Sequence, residues 1–88
     1  MINNLKIQAD GIIEEFRVRP GDILTDLQKE VGNKLSQILM SGGRVMLVDE
    51  EAVEKRLEPN IGASNLVGRQ VRGSAVIIKR DTLWRSYE

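Results

Sequence analysis

The opening of the chain constrains its architecture more than any other stretch. Leu5, Ile7 and Ala9 alternate with Lys6 and Gln8, Asp10-Gly11 follows, and Phe16 and Val18 then alternate with Arg17 and Arg19. A two-residue period turns one face of a strand inward, and Asp-Gly supplies the positive φ of a tight hairpin turn. The spacing predicts a β-hairpin over residues 5–19.

Pro20-Gly21 marks the next turn, and Asp22 stands where its carboxylate can accept the free amides of a helix's first turn. Leu24, Leu27 and Val31 recur at spacings of three and four, with Ile23 beside them and Gly32 as a left-handed stop. That pattern predicts a helix of about ten residues whose apolar stripe lies on the sheet. Leu35 to Met40 fits either a helical turn or a strand. Ser41-Gly42-Gly43 and the apolar run Val45 to Val48 favour a second hairpin over 35–40 and 44–48.

The acidic stretch 49–58 reads as solvated, with a turn or short strand around Val53 to Leu57. Pro59-Asn60 resembles a helix start, Asn60 capping the amides of Gly62 and Ala63, and Gly68 stands at the exit of one or two helical turns. Ser74 to Ile78 is β-branched and continuously apolar, as befits a central strand covered on both faces. The tail 81–88 has no period.

These elements describe one α+β domain over 1–80. The expected form is a small mixed β-sheet of about five strands with one principal helix packed on one face, β-grasp-like. A ferredoxin-like split is the alternative. A chain of 88 residues buries a modest fraction of its surface and has a thin stability margin. With no cysteine and no histidine, disulfides and the usual zinc, copper and haem ligands are missing, and no metal or cofactor is expected. Small folds without staples often gain burial from a second copy, so a homo-oligomer is expected.

No apolar run is long enough to span a membrane and no signal-peptide pattern opens the chain, so the expected setting is cytoplasmic and no membrane partner is expected. Formal net charge is zero, yet residues 49–58 carry an excess of three negative charges and residues 69–85 an excess of four positive ones. An anion is therefore better received near the end of the chain than in its middle.

Leu27-Gln28 with Val31-Gly32, Val48-Asp49-Glu50-Glu51, Leu57-Glu58-Pro59-Asn60 with Ala63-Ser64, and Val71-Arg72-Gly73 before an apolar strand form a recognisable succession. It resembles a domain-of-unknown-function family of small phage and plasmid proteins, over roughly residues 18–78. Asn33 stands where that pattern has a second glycine, and Asp49 where it has asparagine. The resemblance implies a mobile-element origin, and then the host cytoplasm, but no reaction.

Catalysis is not expected. A serine nucleophile needs a base within hydrogen-bond reach, and without histidine that base would have to be a lysine or a carboxylate. The run Asp49, Glu50, Glu51, Glu54 lacks the spacing of a calcium loop.

Binding is the stronger reading. Asn60 and Ser64 at a helix start, with Arg69 and Arg72 close behind, are the parts of a phosphate or nucleotide site. The same residues also have a purely structural use, in capping, turns and a strand entrance. Arg80, Trp84, Arg85 and Tyr87 interleave cations and aromatics, the composition of a protein-interface anchor or of a surface on which single-stranded nucleic acid stacks.

The leading expectation is a counter-defence protein that sequesters a nucleotide-like signal at an oligomer interface. The alternatives are an inhibitor that blocks a host defence nuclease complex through an edge strand and the Trp84 tail, and a nucleic-acid accessory.

Overall fold

The computed structural model describes residues 4–19 and 21–81. Its elements are β1 (Leu5–Ile7), β2 (Ile13–Glu15), α1 (Ile23–Glu30), β3 (Leu35–Met40), β4 (Arg44–Asp49), α2 (Ile61–Val67) and β5 (Ala75–Lys79). The strands form a single sheet in the order β2-β1-β5-β4-β3. Both hairpins turn where their signals put them, but the strands of the first are shorter than the expected 5–19 span, and Phe16 and Val18 lie beyond β2. No helix among the described residues is long and apolar enough to cross a membrane.

The α+β class and the five strands agree with expectation, whereas the mixed, β-grasp-like sheet is corrected. Every neighbouring pair is antiparallel, including β1 with β5, whereas a β-grasp sets its first and last strands parallel. After β4 the chain crosses one face as α2 and comes back beside the strand it left, so β5 runs against both β4 and β1. Alternation along a strand reveals its faces but not its direction.

The expectation of one covered face is also corrected, because the sheet carries a helix on each side. On the first face, Leu27 of α1 and Val31 just past its end pack with Phe16, Val45, Leu47, Val76 and Ile78. On the other, Ala63 of α2 joins Ile7, Met46, Val71, Ala75 and Ile77. β5, covered on both faces, is buried from Ala75 to Ile78, which is why its sequence does not alternate. Leu27, Leu47 and Ile78 are wholly buried, each contributing roughly 1.5–3 kcal/mol of apolar transfer.

Two local expectations about α1 change. Asp22 occupies the N-cap without a side-chain hydrogen bond to the helix. A contact from one turn further in ties down the preceding chain instead: Asp26 Oδ2 accepts the Arg19 amide at 2.9 Å and its Oδ1 meets Arg19 Nη2 at 2.7 Å. The helix stops at Val31 in a right-handed conformation, and Gly32 serves close approach instead: a Cβ there would stand 2.5 Å from Asp49 Oδ2.

The Arg19 contacts, side chain first and then amide, hold the Asp26 carboxyl down at about 2. An aspartate in an unfolded chain titrates near 3.9. The folded-state value is the lower, so this contribution is complete above about pH 4 and is lost as pH falls through about 2. Asp26→Asn is expected to flatten the acid limb of the thermal unfolding midpoint across that window. Superimposable pH profiles for the two proteins would rule the contribution out.

Candidate functional site

Asn60 is where the expected ligand site meets its first correction. Its side chain is fully buried: Oδ1 accepts the Ala63 amide at 3.1 Å, and Nδ2 donates to the carbonyls of Ile7 and Gly73, both at 2.8 Å. The predicted cap is present, but the amide also ties α2 to β1 and to the turn before β5. Nothing of it reaches a ligand.

Ser64 is similarly occupied. Its hydroxyl donates to the Asn60 carbonyl at 2.7 Å and accepts the Val71 amide at 2.8 Å. These bonds clamp the segments on either side of α2, which pair through Pro59 and Arg72 and through the Asn60 amide on the Val71 carbonyl at 2.8 Å. The four residues expected in one site therefore separate: Asn60 is buried and Ser64 half-buried, both taken up by internal hydrogen bonds, whereas Arg72 is half-buried and Arg69 exposed.

Arg69 and Arg72 do come together. They form one wall of a cleft of about 180 Å³ on the α2 face, whose floor is Ser36, Ile38 and Val48 and whose other wall is the loop bearing Glu50 and Val53. Arg72 Nη1 donates to the Leu57 carbonyl at 3.2 Å, and Arg69 is exposed. Among the described residues neither guanidinium meets a carboxylate.

Asp49, expected to be solvated, is buried. Its Oδ1 accepts the Glu51 amide at 2.8 Å and its Oδ2 meets Lys55 Nζ at 2.8 Å, a hydrogen bond that raises the Lys55 pKa. This pair folds the acidic stretch into consecutive turns and sets the Glu50–Val53 wall. No three carboxylates among the described residues gather as a cation site.

Sequence reasoning missed Ser36, Ile38, Glu50 and Val53 in the cleft. Strand alternation puts Ser36 and Ile38 on one face of β3, but only the loop's packing brings Glu50 and Val53 to the same cleft. Arg80 is exposed beyond β5, while Trp84, Arg85 and Tyr87 lie outside the described residues.

The cleft opens beside β3, and the two edges of the sheet differ. β2 is three residues long and carries Glu14 and Glu15, charges that discourage pairing with another strand. β3 runs six residues, Leu-Ser-Gln-Ile-Leu-Met, without a charge. Glu50 N donates to the Lys34 carbonyl at 2.9 Å, and Lys34 continues the β3–β4 register. Hydrogen bonding to β4 thus falls to even-numbered residues, and Leu35, Gln37 and Leu39 turn their N–H and C=O groups outward. Leu39 is 67% exposed.

No protein-family model matches this chain, and neither a curated protein nor a solved structure is significantly similar to it.

Proposed function

We propose that this chain is a non-enzymatic binding protein that holds a phosphorylated, nucleotide-like ligand against Arg69 and Arg72. The observation behind this reading is that Arg69 and Arg72 line one cleft and, among the described residues, neither is paired with a carboxylate. Arginine presents a fork of donors matched to phosphate oxygens. Of the two acids that line the same cleft, Asp49 is engaged by Lys55 and Glu50 forms no salt bridge among the described residues.

The resemblance to small phage and plasmid proteins supplies the setting, sequestration of a host signal by occupancy, without turnover. A second reading, obstruction of a host defence protein, is favoured by the uncharged edge of β3, which suits strand addition. Nothing in the site singles out a nucleic-acid accessory.

The test is mass spectrometry of the small-molecule fraction released when the natively purified protein is denatured, followed by titration with the compound found. A phosphorylated compound is expected, and Arg69→Gln and Arg72→Gln should each weaken its binding roughly tenfold or more, the usual loss for a charge-assisted hydrogen bond. An empty fraction, with no response to a panel of nucleoside phosphates, would overturn the reading.

A further inference from the structure

The uncharged outer edge of β3 has its best partner in itself. We propose that two copies of the chain pair antiparallel through β3, about a two-fold axis at Gln37, and that this dimer completes the arginine cleft; the ligand part of this inference rests on the reading above.

The register follows from the outward residues. Gln37 meets its own symmetry mate and Leu35 meets the partner's Leu39, so all outward-facing N–H and C=O groups of β3 find a complement in hydrogen-bonded pairs. A two-fold interface brings each residue near the axis against its own copy, which penalises charge there. Gln37 is neutral and can pair with itself through its amide.

Side chains agree with this pairing. Odd-numbered residues of β3 share the α1 face with Val45 and Leu47. Leu39, 67% exposed in one copy, comes to lie across from the partner's Leu35, which packs on the α1-side core. Within the strand ladder, the closest like charges across the seam are Lys34 of one copy and Arg44 of the other. Two strand spacings, ~10 Å, separate them, about one Debye length at ~0.1 M salt.

On the α2 face the consequence is functional. Ser36 and Ile38, the β3 part of the cleft floor, stand opposite the partner's Ile38 and Ser36. A two-fold normal to the sheet keeps both clefts on the same face, so their floors join across the seam. One cleft of about 180 Å³ is smaller than the ~300–1,000 Å³ typical of small-molecule pockets, and two on a shared floor reach that range. Arg69 and Arg72 from each copy then address a ligand with two phosphate groups, such as a dinucleotide.

The experiment is sedimentation equilibrium of the full chain over a dilution series, with titration of a 5′-phosphorylated diadenylate and of adenosine monophosphate. A species of twice the 9.9 kDa chain mass is expected, binding the dinucleotide at least about tenfold more tightly than the mononucleotide. Gln37→Pro deletes an outward N–H that β4 does not use, on an edge strand where proline is tolerated. Leu39→Lys places a charge at the seam. Both variants should retain the wild-type circular dichroism, sediment as monomers and lose the dinucleotide preference.

A wild-type monomer at every concentration, or a dimer unaffected by both folded variants, overturns the dimer and leaves the edge to another protein. A dimer that binds neither nucleotide supports the pairing and overturns only the ligand reading.

Discussion

Asn60→Ala is expected to lower the thermal unfolding midpoint by roughly 15–25 °C. The substitution leaves the Ala63 amide and the carbonyls of Ile7 and Gly73 without their side-chain partner, all within the interior. Losing a cap costs about 1 kcal/mol, and each buried polar group left unpaired about 1–3 kcal/mol. The lower end of that sum, ~3–4 kcal/mol, is already a large share of the ~4–13 kcal/mol expected of a domain this size, and each kcal/mol moves the midpoint by ~4–8 °C.

Asn60→Ser separates the two tasks of the residue. A serine hydroxyl keeps the helix cap but cannot span to Ile7 and Gly73, so its midpoint should lie between those of the wild type and the alanine variant. Gly73 adds a constraint to the same region: its φ is +78° and a Cβ would stand 2.7 Å from Leu57 Cδ1. A midpoint shift of only a few degrees for Asn60→Ala, read by circular dichroism, would mean that the network is dispensable.

Gly32→Ala is the other substitution with a large expected effect, about 2–4 kcal/mol of destabilisation. The new methyl would sit 2.5 Å from Asp49 Oδ2 and 2.6 Å from Asp49 Cγ, too close for van der Waals contact. Asp49 has little freedom to retreat, because it is buried between the Glu51 amide and Lys55 Nζ. The cost combines overpacking, ~1–3 kcal/mol, with weakening of the hydrogen bonds that hold the buried Asp49 carboxylate.

A double-mutant cycle isolates this contact. Asp49→Ala is itself destabilising, but it removes the carboxylate that the methyl strikes, so Gly32→Ala should cost ~1 kcal/mol or more less in that background. Strict additivity of the two substitutions in urea unfolding would show that the clash is relieved some other way. The Asp49 turn also sets the Glu50–Val53 wall, so Gly32→Ala should disturb the arginine cleft from the opposite side of the sheet.

What the sequence disclosed, and what it withheld, follows from the range of each interaction. The hairpins, α1, the Asn60 cap and the central position of β5 were legible because each depends on neighbours a few residues away or on a simple apolar run. Strand direction was not, since Leu5 to Ala9 alternate identically whether β5 runs parallel or antiparallel to them. The site was half legible. Arg69 and Arg72, three positions apart, do line one cleft, but Asn60 and Ser64 spend their side chains on Ile7, Gly73 and Val71, partners that local spacing does not reveal for the Asn60 amide. Asp49 looked like one more solvated acid because Gly32, seventeen positions earlier in the numbering, approaches it only in the folded sheet.

The central place of β5 also dictates when the molecule can assemble. Among the described residues the hairpins β1–β2 and β3–β4 do not pair with each other; each joins the sheet through β5, which follows both of them in chain order. Until it leaves the ribosome, two half-sheets wait with raw inner edges, and cooperative closure then depends on contacts spanning most of the polypeptide, which slows folding. Nascent chains stalled before Ala75 are therefore the form most prone to clump.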